Sequence, residues 1–284
     1  MKKSCYLCNC NEHSVRPGKV RDHASLEILE CKNCGLVSLS NTTVPDAFYE
    51  ESGMHGNEPL NIEEWLRELE RDDNRRVKYL GDSLVNKEIL DFGCGPGGFI
   101  FKAQNKAKQI IGIELETRLS SHYTENGFKV VTGFKDLPED KKFDLITAFH
   151  VVEHLEDPAT ILREMSQRLK LNGKIIIEIP SANDALLTFY KNKPFSEFTY
   201  WSCHLFLFNP ANLQILAKMS GLNLEYVNHV QRYPISNHLH WLSEGAPGGH
   251  HKWSVLDSDE ISSAYEAKLA SLGLTDTLIA CFSA

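Results

Sequence analysis

Four cysteines stand in two C-x-x-C pairs, Cys5-Tyr6-Leu7-Cys8 and Cys31-Lys32-Asn33-Cys34, with 22 residues between the pairs. Thiolates at this spacing can converge on one tetrahedral zinc ion, each pair supplying two sulfurs. Four sulfur ligands would close the coordination sphere, so the expected ion holds a fold and performs no chemistry. Cys10 lies close by but has no partner at knuckle spacing. The chain has eight cysteines and opens on MKKSCYLCNC, with no apolar run behind the two lysines. The cysteines are therefore read as thiols and metal ligands in a reducing, cytosolic setting.

A second group is D-F-G-C-G-P-G-G, residues 91–98, which begins on the last two residues of the apolar run EILDF. Gly93, Gly95 and Gly98 satisfy G-x-G-x-x-G, and Glu114 closes the next apolar run at the distance where a carboxylate meets ribose hydroxyls. A dinucleotide and S-adenosylmethionine both fit that outline. Asp91 separates them, because a carboxylate at the mouth of the loop would repel a pyrophosphate and attract an ammonium and a sulfonium. The expected ligand is S-adenosylmethionine.

His150, Glu153 and His154 form a third pattern, H-x-x-E-H, which on a helix would set two imidazoles and a carboxylate on one face, as in an inverted zinc peptidase. The neighbours deny it that helix. FDLITAF reads as a strand ending at Phe149, and Asp157-Pro158 reads as an N-cap followed by a first helical position. The pattern is confined to a connection of about seven residues, with His150 near the cofactor and Glu153 and His154 bracing the loop or facing an acceptor.

The elements that must position these groups alternate in type. Apolar runs at 88–92, 109–114, 128–134, 143–149 and 174–180 are separated by helical stretches, which implies a parallel sheet covered on both faces. LNLEYVNHVQ and the final run TLIACFSA add two more strands, so the fold class is α/β, a doubly wound, mostly parallel seven-stranded sheet. Ile62, Trp65, Leu66, Leu69, Val77 and Leu80 recur at helical spacing before the first strand. Residues 41–58 are rich in turn formers and read as a linker. The expected division is a zinc unit over 1–45, linker and helix over 46–85, and an α/β domain over 86–284 with acceptor-binding insertions near 181–208 and 232–274.

EILDFGCGPGGF, IIGIE and FDLITAFHVVEHLEDPATILREMSQRLKLNGKIIIEIPS, in this order, resemble the class I S-adenosylmethionine-dependent methyltransferases. The resemblance implies a Rossmann-like methyltransferase fold in which Gly93, Gly95 and Gly97 lie against the methionine moiety and Glu114 meets the ribose. Many members have an acidic residue after the third strand. This chain has Gly133-Phe134-Lys135 there, so Phe134 is the candidate to pack on the adenine. With the knuckles in front, the chain also resembles sugar methyltransferases of polysaccharide and deoxysugar biosynthesis. By that likeness His204 falls on a histidine position of the sugar C-methyltransferases, with Cys203 in place of their glutamate and Trp201 in place of their tyrosine.

Displacement at a sulfonium needs positioning and a base for the acceptor proton, and His204, His154 and His150 are the candidates. Phe189, Tyr190, Phe195, Phe198, Tyr200 and Trp201 are the expected acceptor wall. The histidines 229, 238, 240, 250 and 251 match no ligand template and are read as a lid or acceptor loop, with Arg232 or Lys252 meeting an anionic group. A net charge of −8, a pI near 5.8 and no basic run disfavour a nucleic-acid partner, and no segment approaches membrane-spanning length. The expected reaction is O-methylation of a small hydroxylated acceptor, such as a sugar, nucleotide-sugar or phosphorylated precursor. Sugar C-methylation, RNA base methylation and an inactive zinc-dependent interaction module are the alternatives.

Overall fold

The computed structural model describes residues 4–43 and 60–284. From residue 44 on, the expected linker lies outside them. The strands are β1 (His13–Val15), β2 (Ile28–Cys31), β3 (Val37–Leu39), β4 (Glu88–Phe92), β5 (Gln109–Ile113), β6 (Val130–Val131), β7 (Phe143–Phe149), β8 (Leu169–Pro180), β9 (Phe206–Leu207), β10 (Asn223–Val230) and β11 (Thr277–Ser283). Helices of six residues or more are α1 (Ile62–Leu80), α2 (Gly98–Ala103), α3 (Ser120–Glu125), α4 (Pro158–Gln167), α5 (Lys193–Phe198), α6 (Pro210–Ser220), α7 (Ile235–Glu244) and α8 (Asp259–Leu272).

Seven strands form one sheet in the order β10-β11-β8-β7-β4-β5-β6, parallel across its centre and antiparallel on both sides of β11. This is the doubly wound sheet expected, with Rossmann-like methyltransferase topology. Its central strands are continuous apolar runs because helices cover both faces: Ile89, Leu90, Ile111, Ile146, Ile175 and Ile177 are fully buried. The third expected strand, 128–134, contracts to Val130–Val131, which is the edge of the sheet. A short edge strand leaves few unpaired backbone groups to template aggregation.

Local sequence sets the helix ends. The Asp157 side chain accepts from the Thr160 amide at 3.2 Å, with Pro158 at the first helical position of α4. Asn209 and Asn212 cap each other reciprocally at the start of α6, and Gly221 ends it in a left-handed conformation. Leu162 and Met165 of α4 and Leu213 and Leu216 of α6 are fully buried in one core with the sheet.

The cysteine segment has a sheet of its own, β1-β2-β3-β9, whose last strand comes from the far end of the chain. Val37 and Ser38 of β3 pair with Leu207 and Phe206 of β9. Tyr6 rests on the ring of Phe206 at 5.2 Å and donates its hydroxyl to Asp157 at 2.5 Å, while the Asn212 side chain donates to the Cys34 carbonyl at 2.6 Å. Cys5, Leu7, Cys31 and Leu36 consequently share a core with Phe206, Phe208 and Leu213.

Candidate active site

Ligands of open α/β sheets bind beyond the carboxyl ends of the strands, where β4, β5, β7 and β8 release the chain into the candidate residues. The turn after β4 puts Gly93, Gly95 and Gly97 at φ of 72°, 50° and 81°, a left-handed sequence that L side chains resist. Gly98 is required for a different reason, since a Cβ there would stand 2.2 Å from a carboxylate oxygen of Asp73 on α1. Glu114, at the end of β5, accepts from the Gly95 amide at 2.9 Å, from Leu115 at 2.7 Å and from Glu116 at 3.0 Å. Its carboxylate therefore braces the glycine turn.

Asp91 is buried on β4 and accepts from the Thr147 hydroxyl at 2.8 Å. Burial pushes its carboxyl up to about 7, against the opposing pull of the Thr147 hydroxyl and of the Arg76 charge. A cation bound beside it would favour its charged form. Phe134 stacks on Phe92, at the end of β4, with centroids 5.4 Å apart.

After β7 the H-x-x-E-H residues form a loop holding one 3₁₀ turn, Val152–His154, and no sustained helix. His150 has a left-handed backbone, φ 55°, a strain of about 1–3 kcal/mol for a residue with a side chain. Its Nδ1 lies 3.1 Å from Glu153 and its Nε2 lies 3.1 Å from Glu178. Val151 fills the space in front of Gly93, where a Cβ would come within 2.4 Å of it, so this loop packs directly on the glycine turn.

Next to His150 lies a cavity of about 260 Å³ lined by Arg21, Ser181, Asp184, Phe195, Phe198, Trp201, His204, Arg232, His238 and Trp241, among others. Both expected insertions contribute to it. Of the expected aromatic wall, Phe195, Phe198 and Trp201 line the cavity. Phe189 is exposed, Tyr190 pairs with Tyr265, and Tyr200 is buried. His204 meets His154 edge to face at 4.7 Å and lies 5.8 Å from Trp201. Burial, and then the neighbouring His154, pushes His204 down to about 3, well below the near-neutral range assumed for it. It is a neutral imidazole throughout the physiological range, able to accept a proton but weakly basic.

Arg232 does not reach out for an anion as expected. Its guanidinium is paired with Asp72 of α1 and lies 3.0 Å from His150, because an arginine at this depth needs a counter-charge from the protein. Lys252 is exposed and outside the cavity. The histidines are spent on separate bonds, His238 with the Tyr265 hydroxyl at 2.7 Å and His240 with the Ala246 carbonyl at 2.7 Å.

The Cys5 and Cys34 sulfurs are 3.5 Å apart, as are those of Cys8 and Cys31, and all four lie within 4.8 Å of one another. Ligands at about 2.3 Å from a tetrahedral zinc stand about 3.8 Å apart, so the donor set fits the ion. Cys10 turns its sulfur to Glu12 instead. Among the described residues, His154, Cys203 and His204 are the other group with ligand atoms that close.

With this arrangement in view, comparison with known families matches residues 63–227, more than half of the chain, to the model of a methyltransferase domain. The chain belongs to this methyltransferase family. A ubiquinone biosynthesis O-methyltransferase of Pasteurella multocida is 30% identical over 122 residues, covering 35% of this chain and 50% of that protein. A tRNA U34 carboxymethyltransferase of Nautilia profundicola is 30% identical over 105 residues, covering 34% of this chain and 35% of that one. The chain spans about half the length of the ubiquinone-biosynthesis relatives that it matches. Among solved structures, an S-adenosylmethionine-dependent methyltransferase from Clostridium acetobutylicum aligns with a TM-score of 0.44 and 14% identity, over 84% of this chain and 96% of that one.

The matched region of the methyltransferase takes in α1, and α1 carries residues that the sequence reading passed over. Arg75 and Arg76 clamp the fully buried Glu178 of β8 through bonds of 2.9–3.2 Å, with Asp72 and Asp73 behind them. Burial raises the Glu178 carboxyl, but Arg76, His150 and Arg75 outweigh it and hold it well below the usual range. Two signals marked this network. One is the apolar stripe of α1 breaking into Asp72, Asp73 and Arg76 at helical spacing, and the other is a single glutamate inside KIIIEIP. A charge in a continuous buried run requires a partner elsewhere.

Proposed function

We propose that this chain is an S-adenosylmethionine-dependent methyltransferase that methylates an oxygen of a small hydroxylated acceptor, such as a sugar or phosphorylated sugar precursor. The observation that carries this reading is the junction of two sites at one loop. Val151 packs on the glycine turn, and the adjacent His150 lines the cavity.

Asp91, Gly93, Gly95, Gly97, Glu114 and Phe134 are the residues that would hold the methyl donor. When bound, it supplies an electrophilic methyl on a sulfonium. Asp91 would answer the donor's ammonium, and Glu114 has lone-pair capacity left for a ribose hydroxyl beyond the three amides it already accepts. His204 is the candidate to take the acceptor proton. His154 packs edge to face on its ring, and His150 is fixed between Glu153 and Glu178 at the donor side. Phe195, Phe198, Trp201 and Trp241 would flank the acceptor with apolar surface. Cys5, Cys8, Cys31 and Cys34 would hold a structural zinc.

A relative named for a tRNA would favour RNA as the acceptor, but a net charge of −8 opposes the phosphate neutralisation such a substrate needs. Isothermal titration should show S-adenosylhomocysteine binding, and mass spectrometry of pooled sugar phosphates and nucleotide-sugars should show a gain of one methyl group. Absence of any binding by S-adenosylmethionine or S-adenosylhomocysteine would sink the proposal.

A further inference from the structure

Among the described residues, one arginine that lines the cavity has no ion-pair partner. Arg21, between β1 and β2 in the cysteine segment, places its guanidinium carbon 4.5 Å from the centroid of Trp201 and 5.3 Å from that of Phe198. It makes no ion pair and no side-chain hydrogen bond with the described residues. The other cavity arginine, Arg232, is spent on Asp72. The acidic groups at the cavity are turned inward. Asp184 caps the Leu186 amide at 2.7 Å, and Asp276 accepts from the amides of Arg232 and Tyr233 and from the side chain of Gln231.

Arg21 is held there by the backbone around it. Its amide donates to the Tyr200 carbonyl at 3.0 Å, Asp22 accepts from the Ser202 amide at 2.9 Å and its hydroxyl at 2.5 Å, and the Lys19 amide donates to Ser196 at 3.1 Å. A guanidinium whose face lies on aromatic rings keeps its hydrogen-bonding edge open, and that planar edge matches the paired oxygens of a phosphoryl or carboxylate group. Arg21 is itself exposed, and its stacking on Trp201 and Phe198 limits the rotamer entropy it would lose on binding.

We propose that Arg21 is an anion-recognition residue of the acceptor cavity, so that the acceptor carries a phosphoryl or carboxylate group, and that the cysteine segment supplies this selectivity. The proposal rests on the reading of the cavity as the acceptor site. It gives the small unit a role in substrate choice beyond stabilising the fold.

The test uses the full chain saturated with S-adenosylhomocysteine, titrated with glucose 1-phosphate, glucuronate and glucose. The wild type should bind at least one anion about tenfold more tightly than glucose, and Arg21→Gln should lose that preference, since one charge-assisted pair is worth about a factor of ten or more. The two anions distinguish phosphoryl from carboxylate recognition. Arg21→Lys, which keeps the charge but loses the fork and the stacking, should fall between. Unchanged S-adenosylhomocysteine affinity in the variants shows that they are folded. Equal anion binding by wild type and Arg21→Gln, or no anion preferred over glucose by the wild type, overturns the proposal. Failure of the wild type to bind S-adenosylhomocysteine would instead count against the methyltransferase reading itself.

Discussion

Replacing Asp91 with asparagine should make the ligand-free protein more stable and ruin its donor site. In the folded chain burial pushes the Asp91 carboxyl up to about 7, whereas an unfolded aspartate titrates near 3.9. Between about pH 4 and pH 7 the folded chain keeps a proton that the unfolded chain has released, so this residue's contribution to stability is lost as pH rises through that window. A difference of about 3 units at about 1.4 kcal/mol each amounts to about 4 kcal/mol once the carboxylate is fully ionised. Asparagine is close in shape, and its oxygen can still accept from Thr147, which now donates at 2.8 Å. Urea unfolding of wild type and Asp91→Asn should therefore coincide near pH 4 and diverge steadily, the variant leading by up to about 4 kcal/mol at pH 8. In parallel, wild-type affinity for S-adenosylmethionine should weaken below pH 7 as a proton competes with the donor's cationic groups, and Asp91→Asn should bind poorly at every pH. A stability offset that does not change with pH, or a variant that binds the donor as tightly as the wild type, would refute the reasoning.

Three other outcomes are expected. Glu178→Gln strips the counter-charge from Arg75 and Arg76, and breaking a buried pair this way should cost about 3–5 kcal/mol in urea unfolding near neutral pH. Because the Glu178 carboxyl is held well below its ordinary value, its stabilisation is complete above about pH 5 and fades as pH falls, so an undiminished gap at pH 3 would count against this account. The purified protein should carry one equivalent of zinc by elemental analysis. Cys31→Ser should lose it along with hydrogen-exchange protection in β2 and β3, and retention of zinc would exclude a four-sulfur site. His204→Gln should lower turnover about a hundredfold or more and leave S-adenosylhomocysteine affinity unchanged, and an undiminished turnover would remove this residue as the base.

What could be seen in the sequence were features whose cause lies within a few residues. The glycine turn, the Asp157-Pro158 helix start and the confinement of H-x-x-E-H to a loop depend on φ, on capping and on segment length, all of which are local. The failures share a different cause. Arg232 looked available for an anion because its counter-charge, Asp72, lies 160 residues away. His204 looked like a near-neutral base because nothing beside it in the chain shows that His154 and the loops around it would bury it. The strand at 128–134 was expected at full length because propensity does not reveal which strand ends a sheet.

The same logic explains why the role of the cysteine segment could not be read beyond its metal. LFLF, residues 205–208, is apolar on consecutive positions, and a run of that kind must be covered on both sides. Phe206 and Phe208 face the α/β core, Leu207 packs with Val20, Ile28, Val37 and Leu39 on the other side, and β3 pairs with β9 along its edge through Val37 and Ser38. That pairing fixes the following geometry, because it brings the segment 16–22 against 196–202 and sets Arg21 on Trp201. The cavity is thus bordered by a strand of two residues joined to a partner far away in sequence. If Arg21 selects the acceptor, then weakening the β3–β9 pairing from the β3 side at Ser38, which does not line the cavity, should reduce acceptor discrimination before it reduces donor binding. The donor's candidate residues all come from the sheet and its loops, which do not depend on that strand.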